Sequence, residues 1–113
     1  ANETTDPHKI QIKLWNNGDL RQDFATSDMA RGVAQVIELI STETTLQPGD
    51  LIPTGTNHLG LGPLQDGEKV EMEITGLARL HVKIRDDKKR TWRRETVAQQ
   101  KAREAAEAAT AKR

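Results

Sequence analysis

Asn16-Asn17-Gly18-Asp19 lies between two runs of residues that alternate with a period of two, and that arrangement constrains the fold more than anything else in the chain. Ahead of it Ile10, Ile12 and Leu14 alternate with Gln11 and Lys13; behind it Leu20, Gln22 and Phe24 continue the period. Such a period belongs to a strand with one buried face, and Asn-Gly tolerates the positive φ of a tight turn. Residues 8–25 are therefore expected to form a β-hairpin. A second pair follows later. Val70, Met72 and Ile74 alternate with Glu71, Glu73 and Thr75; after Gly76, Leu80, Val82 and Ile84 alternate with His81, Lys83 and Arg85. These strands are expected to pair, with Glu71 and Glu73 facing Lys83 and Arg85 as a structural charge match rather than a metal cage.

Between the two pairs, Thr26, Ser27 and Asp28 are each able to cap a helix. Met29, Val33, Val36, Ile37 and Ile40 recur at helical spacing, and the β-branched, hydroxyl-rich stretch Ser41–Thr45 is expected to end that helix. Gln47-Pro48-Gly49-Asp50 reads as a turn, and Leu51-Ile52 as a short strand stopped by Pro53, which has no N–H to donate. Beyond the second strand pair, Lys88–Arg94 packs five basic residues around Trp92, and 95–113 is rich in helix formers with little besides Val97 and alanines to bury. The fold class expected is α+β, mostly β, with one packed helix and a C-terminal helical tail.

Composition narrows the function classes. At 113 residues the chain is one domain in length. Apolar residues are 35%, against about 45–50% in an average domain when glycine is counted. Much of the polarity lies in 1–7, expected to be disordered, and in 88–113, a basic connector and tail. Seventeen basic and 17 acidic residues balance, so no global field points to nucleic acid or an anionic membrane. Lys88–Arg94 is a single basic segment and reads as a connector. There is no cysteine, which excludes a disulfide framework and thiolate metal sites. With no apolar run of membrane-spanning length and no signal pattern, the expected compartment is cytoplasmic.

Chemistry concentrates in 49–67, where Gly, Pro, Thr, Asn and His crowd together. Such a loop brings hydroxyls and bare backbone up to a ligand, and suits carbonyl or carboxylate recognition. It is not a P-loop, lacking the Gly-Lys-Thr/Ser ending, and no helix follows to hold a pyrophosphate. Of the three histidines, His8 and His81 are expected to be solvated; His58, beside Asn57 in this loop, is the better placed.

Three segments in order carry a resemblance. Leu20-Arg21-Gln22-Asp23-Phe24-Ala25-Thr26-Ser27-Asp28-Met29 follows the Asn-Gly turn, then come Leu46-Gln47-Pro48-Gly49-Asp50 and Leu51-Ile52-Pro53-Thr54-Gly55-Thr56, leading to Gly60 and Gly62. Together they resemble the C-terminal part of the fumarylacetoacetate hydrolase family over roughly residues 8–85. The resemblance implies a mixed β-roll, of which 8–87 would be the C-terminal half. It also implies a Mg²⁺-dependent enzyme (or one using Mn²⁺ or Ca²⁺) that hydrolyses, decarboxylates or isomerises β-keto and acylpyruvate-type acids. Thr56 would bind substrate oxygens, with Gly55, Asn57 and His58 beside it. Asn57-His58 stands where the family usually has Pro. The family's metal carboxylates, lysine and water-activating His–Glu pair precede this segment. The resemblance therefore implies no metal ligand or certain catalytic residue in this chain, a complementary N-terminal half or chain, and a homodimer of the complete enzyme. The alternative is a non-catalytic interaction module that keeps the roll without the chemistry.

Overall fold

Asn17 and Gly18 take φ angles of 51° and 86°, the pair of positive values that lets two twisted strands meet across a two-residue turn. In the computed structural model, which describes residues 6–111, this turn joins β1 (Gln11–Asn16) to β2 (Asp19–Ala25). β3 (Lys69–Ile74) pairs antiparallel with β1, Ile12 opposite Ile74 and Asn16 opposite Val70. β4 (Leu80–Lys83) pairs antiparallel with β3, completing one sheet in the order β2-β1-β3-β4. Both expected strand pairs form.

The hairpin carries one irregularity. Leu14 opposes Gln22 while Trp15 opposes Leu20, so Arg21 is an extra residue on β2. This bulge separates two residues that simple alternation puts on one face: Leu20 is exposed, whereas Gln22 is buried.

Charge matching across β3 and β4 differs from expectation. The register sets Glu71 opposite His81 and Lys69 opposite Lys83. Glu71 accordingly meets His81 Nδ1 at 3.1 Å, and Arg79 closes on Glu73 at 2.7 Å. Arg85 turns to Asp87 instead. Arg79 also stacks over the Trp15 ring at 4.4 Å.

The helix α1 spans Val33–Glu43, later at both ends than its apolar stripe suggests. Thr26–Asp28 forms a single 3₁₀ turn and Met29 is extended. The first N–H groups of the helix are met elsewhere: Val33 N–H donates to His8 Nε2 at 3.0 Å, and Gly32 N–H to Gln35 Oε1 at 3.0 Å. His8 is thus a helix cap rather than a freely solvated side chain. Ser41 and Thr42 fit inside the helix because their hydroxyls donate to the carbonyls of Glu38 and Leu39. Leu51-Ile52 forms no strand, and Pro53, which follows, has no N–H to donate to a ladder. The helix α2 covers Val97–Ala111. Residues 1–5 of the expected disordered N-terminus lie outside the described residues, as do Lys112 and Arg113 at the end of the expected tail.

Burial is inverted relative to an ordinary domain. Among the described residues no apolar side chain is buried, while Asn16, Gln22, Gln65 and Glu68 are. Neither helix buries a residue. Large apolar groups such as Leu51 (93% exposed), Leu59 and Leu80 lie open. A radius of gyration of 18.1 Å, against roughly 13 Å for a compact chain of this size, expresses the same fact.

Candidate substrate loop

Gln22, aimed by the bulge, reaches across to the loop. Its Nε2 donates to Thr56 Oγ1 at 3.1 Å and to the Asn57 carbonyl at 2.6 Å. The carbonyl can only accept, which fixes the nitrogen of the amide on this side. Thr56 Oγ1 therefore accepts from Gln22 and keeps its own O–H to donate. Inside the loop, Asn57 Oδ1 accepts the Leu59 N–H at 3.0 Å, and the His58 carbonyl accepts the Leu61 N–H at 3.2 Å. Gly55 turns the chain with φ 88°.

These residues wall a cavity of about 300 Å³. Thr54, Gly55, Thr56, Asn57 and His58 form one side, and Phe24, Ala25, Asp28, Met29 and Ala30 the other. All four loop residues singled out from the sequence are brought together here. Asp28, which ends the 3₁₀ turn, and Met29, which is extended, join them because α1 begins only at Val33. Gln22 was missed; its signal is a polar side chain in a run otherwise reading Leu20, Phe24. The cavity thus combines the Thr56 O–H donor with apolar Phe24, Ala25, Met29 and Ala30, and Asp28 is the one carboxylate on its wall.

The cavity is not a metal cage by itself. Among the described residues no three His, Asp or Glu side chains gather closely enough to hold an ion. Asp28 and His58 are the two such residues on its wall.

Immediately before β3 lies a buried carboxylate. Glu68, 2% exposed, accepts from Asn16 Nδ2 and from the Gln65 N–H through Oε2, each at 2.9 Å, and Arg94 stands 3.4 Å from Oε1. Burial pushes this carboxyl up, but the Asn16 amide, the Gln65 N–H and the charges of Arg94 and Arg21 outweigh it and hold it below the ordinary value. A folded-state pKa below the unfolded one gives stability that is complete above the unfolded value, about 4.5. That stability is lost as pH falls through the folded value. The unfolding temperature is expected to drop below about pH 4.5, and less steeply in Glu68→Gln, when followed from pH 7 to pH 3. Equal slopes for the two proteins would assign the acid sensitivity to other carboxylates.

Comparison with known proteins identifies the family. Residues 1–85 match the model of the fumarylacetoacetate hydrolase C-terminal family. The chain is 39% identical over 79 residues to the mitochondrial oxaloacetate tautomerase of Homo sapiens, covering 70% of this chain and 35% of that protein. It is 41% identical over 76 residues to the bifunctional isomerase/decarboxylase of 4-hydroxyphenylacetate degradation from Salmonella dublin, covering 67% and 18%. The crystal structure of maleylpyruvate hydrolase from Sphingobium, in complex with manganese(II) and pyruvate, superposes with a TM-score of 0.71 at 38% identity, over 75% of this chain and 32% of that one. The chain thus spans about a third or less of the relatives it matches. Sequence, fold and length of match all lead to one conclusion: the chain belongs to the fumarylacetoacetate hydrolase family.

Proposed function

We propose that this chain supplies the substrate side of a divalent-metal-dependent enzyme acting on β-keto and acylpyruvate-type acids. The observation that carries the reading is the Gln22–Thr56 hydrogen bond, which leaves the threonine hydroxyl as a donor at the cavity. Oxaloacetate, maleylpyruvate and the pyruvate bound to the Sphingobium hydrolase share a carboxylate beside a keto carbon. Such a group presents the adjacent acceptors that Thr56 and the backbone at Gly55 and Asn57 suit, with His58 at the rim. The manganese named in the Sphingobium structure supports a hard divalent ion, Mn²⁺ or Mg²⁺, in the complete enzyme. Its carboxylate ligands would come from outside residues 6–111. When bound, such an ion stabilises the enolate formed from a keto acid.

In this reading 8–87 is the catalytic-domain portion and 88–113 an appended connector and helix. The uncovered leucines are the faces that a complementary N-terminal segment, and a second copy of the complete enzyme, would cover. The relatives tautomerise, decarboxylate or hydrolyse, and the reaction here is one of that set. In the assembled protein, Thr56→Ala is expected to raise KM for a 2-oxo acid about tenfold with a smaller change in kcat, as removal of a hydrogen bond to a charged group does. Steady-state kinetics with added Mn²⁺ checks this. Unaltered KM and turnover would remove Thr56 from the site. Absence of turnover on oxaloacetate and acylpyruvates with either metal would leave the non-catalytic module.

A further inference from the structure

The family match ends at residue 85, yet the segment after it is bonded to the loop. Thr96 caps α2: its Oγ1 accepts the Gln99 N–H at 3.2 Å, while Gln99 Oε1 accepts the Thr96 N–H at 2.9 Å. The next two N–H groups are free of the helix's own ladder, as the first in any helix are. Here they run to the loop. Val97 N–H donates to the Leu61 carbonyl at 2.7 Å, and Ala98 N–H to the Leu59 carbonyl at 3.1 Å. Two further ties flank them. Gln65 Nε2 donates to the Trp92 carbonyl at 2.9 Å, and an added Cβ at Gly62 would stand 2.7 Å from the Glu95 carbonyl oxygen and 2.5 Å from the movable end of the Arg21 side chain.

We propose that residues 92–98 form a strap that positions the Thr54–Gly62 loop, with the Val97 and Ala98 amides as its grip. β2 holds one end of the loop, through Gln22 at Thr56 and Asn57; the strap holds the other, at Leu59 and Leu61. Between the two anchors stand His58 and the Asx turn of Asn57, so the strap sets the rim of the cavity from outside the family domain. Val97 and Ala98 are positioning residues and touch no substrate. This inference rests on the loop being the substrate side, and the test separates the two.

Proline is tolerated at the first position of a helix, so Val97→Pro deletes the 2.7 Å bond while leaving α2 intact. In the assembled protein, the Leu59 and Leu61 amides, which donate to Asn57 Oδ1 and the His58 carbonyl, are expected to exchange about fivefold faster in Val97→Pro, because the loop opens more readily once the Leu61 carbonyl loses its one bond to the strap. Gly62→Ala, which displaces the flexible Arg21 guanidinium and pushes the strap backbone away at Glu95, should open the same amides further. Ala106→Pro, which breaks the far half of α2, should leave them unchanged. Unaltered exchange in Val97→Pro and Gly62→Ala, or equal opening in Ala106→Pro, overturns the strap. KM for a 2-oxo acid should rise with the exchange rate while kcat changes less. Faster exchange with constant KM upholds the strap and refutes the substrate role of the loop alone.

Discussion

Replacing Gly60 by alanine is expected to displace the Thr54–Gly62 loop more than alanine at any other glycine of the chain, and, on the proposed function, to weaken keto-acid binding. A Cβ at Gly60 would fall onto the Arg21 carbonyl, with the Arg21 carbonyl carbon 2.6 Å and Gln22 Cγ 2.7 Å away. Most of what it meets is backbone, and that backbone is the bulge of β2, held between ladder bonds to β1. The loop is the partner that must yield. Overpacking of this kind costs about 3 kcal/mol when the neighbour cannot move. Where the loop moves instead, the loss falls on the Gln22 bonds to Thr56 and Asn57. Gly60→Ala should therefore raise KM by at least about tenfold and expose residues 54–62 to protease, since 1.4 kcal/mol is a factor of ten. Gly55→Ala is the contrast: a Cβ there meets nothing within 4 Å, and only the φ of 88° opposes it. Equal kinetics for Gly60→Ala and the unaltered protein would mean that the loop does not bear on β2 during turnover.

The second large effect is expected at Glu68. Glu68→Ala removes the acceptor for two buried donors, Asn16 Nδ2 and the Gln65 N–H, and leaves Arg94 without its anion. Each buried donor left without a partner costs about 1–3 kcal/mol, so the variant should lose roughly 3 kcal/mol or more in chemical denaturation. Glu68→Gln keeps an acceptor oxygen and should lose less. A loss below about 1 kcal/mol for the alanine variant would show that water replaces the carboxylate. The effect is large because Glu68 joins separate pieces. Asn16 ends β1, Gln65 precedes β3, and Arg94 belongs to the strap.

What the amino acids disclosed divides along a physical line. The Asn-Gly hairpin and the β3–β4 pair were legible because alternation and turn chemistry are local, and the loop because its composition fits no regular element. The bulge at Arg21 was not, since an extra residue in a ladder is decided by what crosses the strand. Thr26-Ser27-Asp28 offered good cap chemistry, yet α1 begins later, where His8 from a distant segment meets its first amide. The burial of Glu68 was hidden for the same reason: its three partners are scattered from Asn16 to Arg94. The tail, by contrast, was legible from its helix formers over 95–113, and α2 covers Val97–Ala111. Of the candidate site, the four loop residues were legible, and Gln22, which holds two of them, was not.

The extra residue in β2 makes the aim of Gln22 depend on arithmetic as well as on chemistry. The Asn17-Gly18 turn sets the phase of the strand, and Arg21 advances that phase by one before Gln22 is reached. Which way the glutamine amide points is thus encoded by how many residues separate it from the turn. Homologous chains that keep Arg-Gln but alter the spacing to Asn-Gly would carry the same letters and address a different wall of the cavity.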